Sequence, residues 1–74
     1  MTYTRPVTSN QTLSLGFRIR SARVQADLSQ ERLAELIGTS RRHMIRIEKG
    51  LHKPGPRFIG LIAEATGRPI EYFN

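Results

Sequence analysis

Residues 29–50 read SQERLAELIGTSRRHMIRIEKG, and this stretch decides how the rest of the chain is read. Ser29 and Ser40 each stand just before a run with helical spacing. Serine caps a helix well because its hydroxyl accepts a hydrogen bond from a backbone N–H that has no partner within the helix. Leu33, Ala34 and Ile37 give the first run its inner face, and Gly38 stops it where a positive φ costs glycine little. Ala34 is small enough to let another helix cross closely. Met44 and Ile47, with Leu51 expected beside them, give the second run its inner face, and Gly50 closes it. The spacing predicts two short helices joined by a tight turn.

The outer face of the second helix is basic. Arg41, Arg42, Ile45, Arg46 and Lys49 follow i, i+1, i+4, i+5, i+8 spacing and form one stripe, with only Glu48 as an opposing charge on the helix. Arg41 and Arg42 fall in the first turn, against the positive end of the helix dipole, at a cost of ~0.3–1 kcal/mol each. Stability alone favours Asp or Glu there. Arginines at that end make sense if it meets a polyanion such as duplex DNA.

Composition agrees with an anionic partner. The 74-residue chain carries a formal net charge of +6, and ten of its twelve basic residues are arginine. Arginine favours bidentate contact with phosphate and with guanine edges. The length suits a single domain with a modest core. Without cysteine there is no disulfide, no thiolate ligand for zinc and no thiol nucleophile. No apolar run approaches the ~18 residues of a transmembrane helix, and no signal-peptide pattern is visible.

Working outward from the central stretch, residues 1–12 are polar, with Pro6 and Arg5, and show no apolar period. They are expected to form a flexible arm, either a plain terminus or one that follows a DNA groove through Arg5. Residues 13–74 form the domain. Leu15, Ile19 and Ala22, with Val24 as a further candidate, mark the inner face of a first helix capped by Thr12 or Ser14, and Asp27 follows its end in a left-handed conformation. After the loop LHKPGPR, a fourth helix is expected from about Arg57 to Thr66, with Phe58, Ile59, Ile62 and Ala63 available to the core and Gly67 as its stop. Pro69 starts a last short turn through Ile70, Tyr72 and Phe73. No strand pattern or repeat is present.

The segments LGFRIRSAR, LSQERLAELIG, TSRRHMIRIEKG and ATGRPIEYF, in this order and spacing, resemble the lambda-repressor-like Cro/repressor (XRE-type) helix-turn-helix domain over roughly four-fifths of the chain, Leu15 to Phe73. The resemblance implies an all-α, four- to five-helix domain with its helix-turn-helix at about residues 29–50. The helix at about 40–49 would lie in the major groove, and the helix before it would cross the backbone. The matching base-reading positions are Arg41, Arg42 and Arg46. Ile45 is apolar where the family often has a polar residue, and could meet a thymine methyl group or be incidental exposed surface. Gln30 matches a phosphate-holding position, and Ser29 and Ser40 cap helix ends whose N–H groups also face phosphates. Lys53 and Arg57 match a backbone-clamping region, and Lys49 and His43 complete the expected phosphate contacts. The family also implies an ion pair between Arg23 and Glu48. Asp27 replaces a common glycine.

The resemblance further implies a transcriptional regulator, most simply a repressor of phage or bacterial type. Two copies would bind an inverted-repeat operator, with guanine at one or two positions of each half-site. It would work in the cytoplasm, at the nucleoid of a bacterium or phage-infected cell. An apolar residue near Phe58–Ile59, or Tyr72 with Phe73, could serve the homodimer. The chain ends at Asn74, just past the last expected helix, which fits either a small Cro-like protein or one domain of a longer regulator. The alternative function is an antitoxin that neutralises a protein partner while binding its own promoter, although the polar arm offers no apolar anchors. No enzyme is expected, because no acid and base stand at working spacing and no glycine-rich phosphate loop is present. No cofactor, metal, small molecule or membrane is implied, since His43 and His52 have no ligand companion at useful spacing.

Overall fold

Three serines set where the first three helices begin. The structure, a computed structural model, describes residues 14–74. The expected arm over residues 1–12, with Arg5 and the alternative cap Thr12, lies outside the described residues. Ser14, Ser29 and Ser40 are N-caps, and their hydroxyls accept from the backbone N–H of Phe17 (3.3 Å), Arg32 (2.9 Å) and His43 (3.1 Å). The helices they open are α1 (Leu15–Gln25), α2 (Gln30–Ile37) and α3 (Arg41–Glu48). Helix α4 (Pro56–Thr66) follows the loop, and a 3-10 helix spans Ile70–Phe73. The fold is all-α, with no strand among the described residues. No helix among them is long and apolar enough to cross a membrane.

All four helices stop in the same way. A left-handed residue follows each one: Asp27 (φ 60°), Gly38 (79°), Gly50 (79°) and Gly67 (72°). The next backbone N–H then turns back to a carbonyl five residues earlier: Leu28 to Arg23 (3.0 Å), Thr39 to Ala34 (2.8 Å), Leu51 to Arg46 (2.9 Å) and Arg68 to Ala63 (3.0 Å). This closure satisfies the last carbonyls and reverses the chain within two residues. Asp27 is the one non-glycine among the four, and a short polar side chain tolerates that region better than most.

The α4 boundary differs by one residue from the expectation of a start near Arg57. Pro56 is the first helical residue, because its fixed φ suits a helix start and its missing N–H would have had no intrahelical partner anyway.

The core is built from one face of each element: Ile19 and Ala22 of α1, Leu33, Ala34 and Ile37 of α2, Met44 and Ile47 of α3, Ile62 and Ala63 of α4, and Phe73. Fully burying a side chain such as Ile19, Leu33 or Ile62 contributes ~1.5–3 kcal/mol. Helix α2 packs on α3 and α4, and α1 packs on α3, α4 and the 3-10 helix. Arg18 of α1 donates to the backbone oxygens of Tyr72 (3.3 Å) and Asn74, which ties the last turn to the body of the domain.

Two core expectations are corrected. Leu51 is 61% exposed, because the left-handed Gly50 turns the chain before it and carries its side chain away from the face of Met44 and Ile47. Val24 is 54% exposed, because the inner stripe of α1 runs through Gly16, Ile19 and Ala22 and leaves Val24 outside it. Of the two C-terminal aromatics considered for a dimer contact, Phe73 is buried in the core and Tyr72 packs against it.

Gly16 was not anticipated. A Cβ on it would stand 2.5 Å from the Glu48 carbonyl oxygen and 2.9 Å from that of Ile47. The bare glycine lets α1 approach the backbone of α3 at its C-terminal end. This contact helps set the angle at which α3 is presented.

Candidate nucleic-acid interface

Helix α3 divides its residues between two faces. Met44 and Ile47 are buried, while Arg41, Arg42, Arg46 and Lys49 are exposed. The first turn holds no acid, unlike α2, which carries Glu31 there. Neither of the ion pairs found among the described residues involves the four exposed cations. Ile45 lies between them and is half-buried, so the stripe is less uniformly exposed than its spacing suggested.

The only acid of α3 is turned away from this face and neutralised. Glu48 Oε2 accepts from Arg23 Nε at 2.6 Å, and Glu48 Oε1 accepts from Arg23 Nη2 at 3.1 Å. Both side chains are largely shielded, at 11% exposure for Arg23 and 4% for Glu48. Arg23 Nη1 donates to the Leu28 carbonyl at 2.9 Å. One guanidinium thus joins α1, the α1–α2 turn and α3.

Gln30, at the first position of α2, belongs to the same node. Its Nε2 donates to Glu48 Oε1 at 3.1 Å. An ionised carboxylate accepts only, which fixes the amide with nitrogen toward Glu48. The second proton of Nε2 remains for another acceptor, so this contact is compatible with a phosphate role.

His43 sits on the half-buried side of α3. Its Nδ1 is 2.8 Å from Thr39 Oγ1, and its ring meets His52 and Phe58 edge-on, with centroids 4.6 and 5.9 Å away. The imidazole is held by the α2–α3 turn and the start of α4. Lys53 and Arg57 are exposed, in the loop and in the first turn of α4. The hydroxyls of Ser29 and Ser40 are engaged as caps, at the ends of α2 and α3 where unpaired N–H groups gather.

The fold therefore brings Arg41, Arg42, Ile45, Arg46 and Lys49 onto one helix, and puts Gln30, Ser29 and Ser40 at the helix starts beside it. Gly16 and Arg20 were missed by sequence reasoning. For Gly16 the signal is a glycine inside an otherwise regular helical pattern. Arg20 stands one turn before Arg23, on the side of α1 that faces α3, and lines a shared groove with Ile45 and Lys49.

Comparison with known proteins agrees with this arrangement. The sequence model of the helix-turn-helix family matches residues 19–73. An uncharacterised HTH-type transcriptional regulator of Rickettsia conorii is 36% identical over 59 residues, covering 80% of this chain and 47% of that protein. One from Rickettsia prowazekii is also 36% identical over 59 residues, covering 80% of this chain and 45% of the relative. A third, from Methanothermobacter thermautotrophicus, is 42% identical over 50 residues, covering 68% of this chain and 72% of that protein. The chain spans about half the length of the rickettsial relatives it matches. The ordered helices, the glycine- and aspartate-closed turns and the family match lead to one assignment: the chain belongs to the XRE-type helix-turn-helix family.

Proposed function

We propose that this chain is a sequence-specific, double-stranded DNA-binding domain of a transcriptional regulator. It acts as a repressor of phage or bacterial type by occupying an operator. Helix α3 enters the major groove, and α2 crosses the backbone above it. Arg41, Arg42 and Arg46 read base edges, with Ile45 beside them as an apolar contact for a thymine methyl group. An arginine that reaches guanine O6 and N7 together contributes ~1–3 kcal/mol of discrimination. Ser29, Gln30, Ser40, His43, Lys49, Lys53 and Arg57 hold phosphates, which supply affinity with little sequence choice.

One observation carries this reading. The four cations on the outer side of α3 are exposed, while Glu48, the one acid of that helix, is buried against Arg23. The printed names of the relatives, as HTH-type transcriptional regulators, support the regulatory role. Two copies bind a near-palindrome with recognition helices ~34–36 Å apart.

Selection from random duplexes, followed by titration of the winner at two salt concentrations, tests the proposal. An inverted repeat containing guanine, bound much more tightly than random DNA, is the expected result. A single half-site would keep the regulator and remove the dimer. Absence of enrichment, with binding abolished by salt, would reduce the stripe to general polyanion affinity and bring a protein partner forward.

A further inference from the structure

Beside the recognition stripe, the described residues form a groove of about 400 Å³ lined by Arg20, Arg23, Gln30, Ile45, Glu48 and Lys49. Its charges are unevenly committed. Arg23 has placed Nε and Nη2 on Glu48 and Nη1 on the Leu28 carbonyl. Glu48 in turn receives Arg23 and Gln30, so the one acid in the groove is neutralised by the one cation behind it. Arg20 and Lys49 are left at the rim, both exposed, on α1 and at the C-cap of α3. Among the described residues, neither guanidinium nor ammonium has an ion-pair partner.

We propose that Arg20 belongs to the DNA interface: with Lys49 it holds a backbone phosphate of the strand that passes the C-terminal end of α3. This rests on the DNA-binding reading above and extends the interface to the first helix, outside the helix-turn-helix. The chemistry of the groove favours a phosphodiester. Two cations on opposite walls face an acceptor-rich anion from two sides, and the spare Nε2 proton of Gln30 supplies a neutral donor between them. Ile45 covers part of the wall with apolar surface that a sugar can meet. Arg23 and Arg20, three residues apart on one helix, thus divide two tasks: Arg23 fixes α3 and Arg20 contacts its ligand.

The test is the salt dependence of binding to the selected duplex and to a random one, measured for wild type, Arg20→Gln, Arg20→Lys and the charge-matched control Arg68→Gln. Arg68 stacks over the Tyr72 ring, 4.9 Å from its centroid, and belongs to the last turn rather than to the groove. Arg20→Gln is expected to weaken both duplexes alike and to make the slope of log K against log salt shallower by about 0.9, the value for one lost phosphate contact. Arg20→Lys is expected to keep the wild-type slope, and Arg68→Gln to change it much less. A second readout places single neutral methylphosphonates along the duplex. One position should cost the wild type affinity and cost Arg20→Gln nothing more. An Arg20→Gln slope equal to that of wild type or of Arg68→Gln overturns the proposal while leaving the DNA-binding reading intact. Failure of wild type to bind either duplex overturns both.

Discussion

Arg23 and Glu48 lie 25 residues apart in sequence and form a two-pronged, largely shielded ion pair, with Arg23 Nε donating to Glu48 Oε2 at 2.6 Å. The pair joins α1 to the C-terminal end of α3, where Gly16 brings the two backbones together. Its main effect is orientation. A buried pair gains little net stability over a well-packed apolar one, but removing one partner leaves a charge in a poor solvent.

Arg23→Met is therefore expected to cost about 3–5 kcal/mol, while Arg23→Met combined with Glu48→Leu costs far less and can even stabilise. Urea melts of the two variants and wild type check this. A single variant as stable as wild type would show that the pair is solvated in practice. Because the double variant lacks the joint between helices, it should keep its fold and lose operator preference.

Gly16→Ala is expected to destabilise, although alanine is favoured over glycine in an isolated helix by ~1 kcal/mol. The new methyl would meet the carbonyl oxygens of Glu48 and Ile47, which are backbone and cannot swing aside. Overpacking of this kind costs ~1–3 kcal/mol. A variant that melts later than wild type would show that the α1–α3 contact is looser than described.

Leu51 and Ile47 provide a paired test of burial. Ile47→Ala should cost ~2–5 kcal/mol as a fully buried truncation. Leu51→Ala should change stability by less than ~0.5 kcal/mol, as an exposed side chain. A large loss at Leu51 would return it to the core that its spacing suggested.

Arg41 sits where stability and binding disagree. Arg41→Gln should raise stability by ~0.3–1 kcal/mol at low ionic strength by removing a cation from the positive end of α3. The same change should weaken DNA binding. Melting temperature and affinity moving in the same direction would contradict the assignment.

The helices were legible because their boundaries are local. Ser29 and Ser40 cap through their own side chains, and Gly38, Gly50 and Gly67 close through their own φ angles, so neighbours in sequence suffice to place them. The family pattern added Arg23 with Glu48, a contact that no local rule supplies. What remained hidden depends on three dimensions. Leu51 obeyed the helical period on paper, but Gly50 reverses the chain before it. Gly16 reads as a weak point in a helix until the approach of α3 is seen. Gln30 was expected to face phosphate alone, whereas Glu48 holds one of its protons. Arg20 lies outside the helix-turn-helix, and only packing brings it beside Lys49.

The central claim is that α3 reads bases while the loop only holds the backbone. It is tested most directly by titrating wild type, Arg42→Ala and Lys53→Ala against the selected duplex and a random one at matched salt. Arg42→Ala is predicted to lose ~1–3 kcal/mol of preference for the selected duplex, roughly fivefold to 150-fold in affinity ratio. Lys53→Ala is predicted to weaken both duplexes by the same factor and leave the ratio unchanged. Equal losses on the two duplexes for both variants would contradict the claim.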